Sequence, residues 1–213
     1  MIALNDSGMA LVDSFDDNFV ETLAIYKNGR VTPVDFGPDV PFAFFLSMNN
    51  SGIISGTTFS QSFTFVGFRD DRSTSRTTLL YPVGGDPDAW ALHINNRGDI
   101  LGYSFVTNAI ERIGVWDAKA VFTPYFVEGT PQIPTVSNRL VFNDNNLIVI
   151  SNISIGEPTS YIVPRIGVRL DLADLVENLS AGQNLANTIG INNHGDMIGF
   201  GQQGSFLLVR VTR

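Results

Sequence analysis

Three closely spaced carboxylate pairs are the residues of this 213-residue chain best suited to chemistry. They are Asp16 with Asp17, Asp70 with Asp71, and Asp86 with Asp88. Such pairs can bind calcium through their oxygens, or act as acid and base in glycoside hydrolysis. Solvated loops also contain them often, and the spaced ligands and distal bidentate acid of a dedicated calcium loop do not accompany them. Calcium is therefore left open as a ligand, and no other cofactor is predicted.

Other catalytic arrangements find little support in the sequence. His93 precedes one predicted turn and His194 lies within another. Both histidines are therefore interpreted as structural or simply exposed. The chain has no cysteine, which excludes disulfides, thiolate metal sites and a cysteine nucleophile. The tripeptide Arg97–Asp99 matches an adhesion motif, but its turn already demands Gly98, so the match is attributed to the turn. No catalytic residue is predicted.

Charge and hydropathy narrow the class of partner. The formal net charge is −8, from 21 acidic and 13 basic residues, so a phosphate-binding surface would work against the overall field. We therefore expect no nucleic-acid partner. The apolar fraction of 44% predicts a folded core, yet no run reaches the ~18 apolar residues of a membrane helix, and no signal peptide follows Met1. We expect no membrane span.

A repeat runs through the whole chain. An apolar residue, Asn, Asn or Asp, a polar residue and then Gly or Asn recurs at Asn5, Asn49, Asn95, Asn143 and Asn192, with spacings of 44, 46, 48 and 49 residues. Such periods are typical of propeller blades or helical-pair solenoids, and the Phe-, Gly- and Pro-rich composition favours the propeller. We predict one repeat domain over residues 1–213, with repeats beginning near residues 3, 47, 93, 141 and 190.

Each repeat predicts a hairpin closed by a type I turn whose fourth residue is left-handed. The side chain of Asn can bond the backbone two residues on, and Gly adopts positive φ without steric cost. The fourth repeat has Asn instead, the non-glycine residue that best tolerates this conformation. The predicted structural turn positions are Gly8, Gly52, Gly98, Asn146 and Gly195.

The strands predict an all-β fold, a five-bladed β-propeller of antiparallel four-stranded sheets with one strand missing in one blade. Each hairpin is followed by a third strand, namely Leu23–Lys27, Ser62–Phe68, Ile113–Asp117, Ser160–Pro164 and Ser205–Arg210. Only four fourth strands follow, giving nineteen strands and one short helical segment within residues 171–176. Val209 and Val211 alternate with polar residues like an outer strand, so we expect a monomer whose sheets close in a ring.

The repeated Asn-Asn-x-Gly-x-Ile-x-Gly motif, the tract Leu170–Leu175 leading to Ile191–Gly195, and the closing Ser205–Val209 resemble the bacterial HAF repeat family. The resemblance covers nearly the whole chain. The His-Ala-Phe triplet that names the family is absent, and Leu23–Ile25, Ser62–Thr64 and Gly114–Trp116 take its place. The resemblance implies a β-propeller-like domain that is extracellular or on the cell surface of a bacterium. It implies no catalytic residues.

A binding surface is predicted where the longer connections emerge. These loops are rich in acids, and loops on a rigid scaffold commonly carry binding function. The favoured function is a non-enzymatic binding or interaction module that presents an acidic loop face to a protein or glycan partner. A glycoside hydrolase or lyase-like enzyme with carboxylates around a central funnel is the less favoured alternative. The candidate ligand-binding residues are Asp13, Asp16, Asp17, Asp86, Asp88 and Trp90.

Overall fold

The computed structural model describes residues 2–15, 21–106, 110–129, 138–152, 159–179, 185, 187–201 and 204–211. These residues group into two compact units. The first contains Met1–Phe105 and Val115–Phe122, and the second contains Val106–Gly114 and Thr123–Arg213. All strand pairings with a defined register are antiparallel.

The strands form five sheets in chain order, and each sheet is a meander. The first sheet contains β1 (Ala3–Leu4), β2 (Ala10–Phe15), β3 (Glu21–Lys27) and β4 (Arg30–Pro33). The second contains β5 (Phe44–Met48), β6 (Ile53–Phe59), β7 (Phe65–Asp71) and β8 (Arg76–Leu80). The third contains β9 (Asp88–Ile94), β10 (Ile100–Val106), β11 (Ile110–Trp116) and β12 (Phe122–Gly129). The fourth contains β13 (Asn138–Phe142), β14 (Ile148–Asn152), β15 (Thr159–Arg165) and β16 (Val168–Asp171). The fifth contains β17 (Asn187–Ile191), β18 (Met197–Gly201) and β19 (Gly204–Leu208).

This architecture confirms the predicted fold class, including the one sheet of three strands. The described residues form nineteen strands and one 3-10 helix, Ala173–Leu175, within the segment predicted as helical. The predicted strand boundaries are wrong in places; the last strand ends at Leu208 rather than at Arg210, so Val209 and Val211, expected in an outer strand, lie beyond it. Residues 62–64 were expected to begin the third strand of the second sheet, but they belong to a turn and β7 begins at Phe65. The reason is a local hydrogen-bond network around Ser60, which satisfies the backbone there in place of a strand ladder.

The five repeat turns share one hydrogen-bond geometry, illustrated by the turn that begins at Asn49. The Asn49 Oδ1 accepts hydrogen bonds from the backbone N–H groups of Ser51 and Ile53, both at 3.0 Å. The Gly52 N–H donates to the Asn49 carbonyl at 3.0 Å, and Gly52 has a φ of 80°. In the fourth repeat Asn146 takes the same position with a φ of 57°. The predicted left-handed residues are thus the ones with positive φ in all five turns.

The same asparagines also connect neighbouring sheets. In the first unit, the side-chain amide of Asn5 donates to the Asn49 carbonyl, and that of Asn49 donates to the Asn95 carbonyl, each at 3.1 Å. In the second unit, Asn143 donates to the Asn192 carbonyl at 3.0 Å. The residue after each asparagine adds a second layer, in which Asp6 and Asn50 exchange two hydrogen bonds. The repeat turns therefore position each sheet against the next within a unit.

The second glycine of the repeat motif is required by close packing. At Gly102 an added Cβ would lie 1.9 Å from the Trp90 carbonyl oxygen and 2.9 Å from the Trp116 ring. Gly56 and Gly199 are crowded in the same way by the rings of Phe68 and Phe206. The glycine thus lets a large third-strand side chain lie across the second strand. Apolar clusters of described residues fill the cores; in one of them Trp116 packs with Ile94, Ile100 and Phe122.

Substitution at Gly8 tests the turn geometry without a packing contribution, since an added Cβ there would have nothing within 4 Å. Gly8 has a φ of 73°, so Gly8→Val should lower the free energy of unfolding by about 1–3 kcal/mol through backbone strain. Gly8→Asn should cost clearly less, because Asn tolerates left-handed backbone. Equal losses for Val and Asn in urea unfolding would contradict this turn assignment.

Candidate functional site

Trp90 is the centre of a chain of aromatic contacts in the first unit. Its ring lies 5.4 Å from Phe45 in a stacked arrangement, and meets Phe65 and Phe105 edge-on at 5.2 and 5.1 Å between centroids. Phe65 continues to Phe59 at 4.5 Å, and Phe59 to Phe44 at 5.5 Å. We call these six residues the aromatic patch: Phe44, Phe45, Phe59, Phe65, Trp90 and Phe105.

The aromatic patch lies at the ends of the second and third sheets that are opposite to the repeat turns, which we call the loop side. Phe59 ends β6, Phe65 begins β7, and Trp90 lies near the start of β9. Every member is at least partly exposed, and Phe44 and Phe45 expose 39% and 46% of their surface. Exposed aromatic side chains in contact with one another are characteristic of interaction sites.

Phe63 is the most exposed large apolar residue of the described chain, at 89%. It occupies the fourth position of the turn between β6 and β7, where the Ser60 hydroxyl accepts from the N–H groups of Ser62 and Thr64. The Phe63 N–H donates to the Ser60 carbonyl at 3.0 Å. This geometry matches that of the repeat turns, yet the left-handed position, with a φ of 58°, carries Phe rather than Gly or Asn.

Phe45 is a second aromatic residue with left-handed backbone, at a φ of 54°. It lies where the pairing of β5 with β6 shifts register between Phe44 and Ser47. Such a bulge redirects a side chain, and here it accompanies the stacking of Phe45 on Trp90. Positive φ is unusual for a bulky residue and costs about 1–3 kcal/mol, so two such residues beside one patch mark it as a functional candidate.

The structure places the predicted acids in different surroundings. Asp86 is buried and accepts from the Ser104 hydroxyl at 2.5 Å. Asp88 accepts from the Phe65 N–H at 2.7 Å, so its carboxylate fixes one member of the aromatic patch. Asp13 is exposed on β2. Asp16 and Asp17 lie outside the described residues. Of the predicted ligand-binding residues, Asp86, Asp88 and Trp90 therefore share the loop side of the third sheet.

The remaining candidates for chemistry are engaged in local contacts. Asp70 is buried and pairs with Arg72 at 3.3 Å. The Ser73 hydroxyl donates to Asp71, and this bond lowers the pKa of the Asp71 carboxyl below its usual range. The Asn192 side-chain amide likewise lowers the pKa of Asp196, in the turn that contains His194. Within the described ranges, no three His, Cys, Asp or Glu side chains are grouped so that they could hold a metal ion.

Phe45 and Phe63 were not among the residues predicted for a site. The polar run from Ser60 to Ser62, between two phenylalanines, is a turn signal that could have located Phe63. The bulge at Phe45 has no comparable signal, since neither Gly nor Pro marks it. Trp90 was predicted, although its indole N–H is buried without a hydrogen-bond partner among the described residues.

Comparison with known proteins establishes the fold. TolB from Acinetobacter baumannii matches with a TM-score of 0.55 at 13% identity, covering 98% of this chain and 53% of that chain. The β-propeller domain of the Trilobed protease from Pyrococcus furiosus matches at 0.49 and 11%, covering 98% and 80%. This chain thus spans about half the length of that TolB chain. No family model matches the sequence, and no curated protein matches it. The chain is an all-β protein with the five-bladed β-propeller fold.

The described residues contain no helix with the length and hydrophobicity needed to span a bilayer.

The two tryptophans provide a test of how the aromatic patch is stabilised. Trp116 is fully buried and its indole N–H donates to the Tyr81 carbonyl at 3.3 Å, whereas the Trp90 N–H has no such partner in the described residues. Trp116→Phe should therefore cost at least about 1 kcal/mol more than Trp90→Phe, since it loses a hydrogen bond as well as packing. Urea unfolding of the two variants measures the difference in the free energy of unfolding. A larger loss for Trp90→Phe would contradict the stated difference in hydrogen bonding between the two indole N–H groups.

Proposed function

We propose that this protein is a non-enzymatic binding module that holds a partner protein through the aromatic patch and the adjacent Phe63. The observation that carries the proposal is the conformation of Phe63, a phenylalanine with 89% of its surface exposed on left-handed backbone. Folding gains almost nothing from such a side chain, and its backbone is strained. A partner that buries the ring recovers apolar surface area and offsets that strain.

The arrangement of the rings favours a protein partner over a glycan. Sugar rings stack on open aromatic faces, but Phe45 already stacks on Trp90, and Phe65 and Phe105 meet Trp90 edge-on. The side chains left for a partner are exposed phenylalanines rather than an open tryptophan face, and these suit apolar pockets or apolar side chains. Phe42, 62% exposed in the connection between β4 and β5, extends the apolar surface available to such a partner.

Exposed acids of the first unit indicate the charge of the partner surface that would surround the apolar contact. Asp39 is exposed in the same connection as Phe42, and Asp13 is exposed on β2. In a chain of net charge −8, these acids favour a partner whose interface rim is basic, as expected from the acidic loop face. Bridging by calcium is part of this proposal, and so is the extracellular or cell-surface setting that the HAF resemblance implies.

Selection from a random peptide library displayed on phage tests the proposal. The wild-type protein should enrich peptides that combine apolar and basic residues. Synthetic versions of those peptides should lose at least tenfold in affinity for Phe63→Ser and for Phe45→Ser, because both variants remove an exposed aromatic anchor.

Val31→Ser is the matched control, since Val31 is 60% exposed on β4, away from the aromatic patch. It should bind the selected peptides as the wild type does. Equal affinity for wild type and Phe63→Ser would contradict the proposed surface. Failure to enrich any peptide, with a glycan array giving ligands that depend on Phe63, would replace the protein partner with a glycan.

A further inference from the structure

A groove of about 680 Å³ lies on the other side of the first unit, beside the repeat turns. Its walls are the hairpin of β3 and β4 in the first sheet and two turns of the second sheet, at Ser51–Gly52 and Arg72–Ser73. Its apolar surface comes mainly from Met9, Ile25 and Pro33. The groove is separate from the aromatic patch, which lies on the loop side of the second and third sheets.

Two positive charges in the groove are directly opposed. Lys27 and Arg30 are partners across the β3–β4 ladder, next to the pair Ile25 and Thr32, and all four line the groove. Like charges at opposed positions of a sheet repel each other. Both side chains are exposed, and neither makes a hydrogen bond or ion pair with a described residue. The sequence thus places an unfavourable pair in a protein that is otherwise strongly acidic.

Arg72 brings a third cation to the groove in a fixed position. One guanidinium nitrogen donates to the Asp35 carbonyl at 3.0 Å and to the Asp70 carboxylate at 3.3 Å. Asp70 also accepts from the Thr77 hydroxyl at 2.9 Å, so the carboxylate that holds Arg72 is itself fixed by a residue of β8. The charge of Asp70 balances that of Arg72 and leaves Lys27 and Arg30 as the excess. The Asp71 carboxylate accepts from the Ser73 N–H and hydroxyl, keeps its negative charge and does not line the groove.

We propose that this groove binds an acidic peptide segment of a partner protein, with carboxylates against Lys27 and Arg30 and apolar side chains against Met9 and Pro33. A carboxylate between the opposed cations replaces their repulsion with two attractions. The apolar part of the groove favours a peptide over a free inorganic anion, and the flexible thioether of Met9 adapts to different apolar side chains. The chain would then have two binding surfaces of opposite character, one on each side of the first unit.

Fluorescence anisotropy with two labelled octapeptides tests this inference. In the first peptide glutamate and leucine alternate, and in the second glutamine replaces glutamate. The glutamate peptide should bind, and the glutamine peptide should bind at least tenfold more weakly. The double variant Lys27→Gln, Arg30→Gln should lose at least tenfold in affinity for the glutamate peptide, and raising the salt concentration should weaken wild-type binding.

The control is the charge-matched double variant Arg76→Gln, Lys119→Gln, which removes two exposed cations outside the groove. It should bind the glutamate peptide as the wild type does. Equal loss in both double variants would mean that net charge alone attracts the peptide, and would overturn the site. Absence of glutamate-peptide binding, or equal binding of both peptides, would overturn it as well. Tighter groove-dependent binding of oligogalacturonate or inorganic phosphate would replace the peptide with that anion.

Discussion

At Asn5, Asn49 and Asn143, the side-chain amide of the first asparagine of the repeat turn is the interaction on which the order of neighbouring sheets depends. Its oxygen closes its own turn and its nitrogen reaches the next sheet, as Asn49 does in binding Ser51, Ile53 and the Asn95 carbonyl. Asn49 is buried, with 3% of its surface exposed. Water cannot reach its polar atoms, so these hydrogen bonds must satisfy them. An aspartate could close the turn, but it has no donor for the neighbouring sheet.

This double role gives the two sides of the first unit different properties. On the turn side, short turns connected by amides form a rigid rim, and the groove with Lys27 and Arg30 is built against it. On the loop side no such amide layer joins the described turns, and the backbone there accepts strained residues such as Phe45 and Phe63. Stability contributed at one end of the sheets thus offsets the strain at the other.

Much of this fold follows from the sequence, because the repeat turns depend on local chemistry. Asn and Gly at fixed offsets predict the left-handed turn, and five copies predict five sheets. The donor role of Asn49 could not be predicted in this way, since it depends on which sheet lies beside it. The groove was missed for the same reason, as Lys27 and Arg30 acquire meaning only opposite the turns of the second sheet. Phe63 was misassigned to a strand because its apolar neighbours outweighed the polar run that precedes it.

The most direct test of this account is the stability of Asn49→Asp measured by urea unfolding between pH 3 and pH 7. At neutral pH the variant should lose about 2 kcal/mol or more, because a buried carboxylate faces the Asn95 carbonyl. Burial should raise the folded pKa of the new carboxyl above its unfolded value, so stability should recover as the pH falls and the protonated group donates to that carbonyl. Asn28→Asp, at an exposed turn position, serves as the control and should change little. If Asn49→Asp were as mild as Asn28→Asp and showed no extra pH dependence, the asparagine amide would not be what connects the sheets.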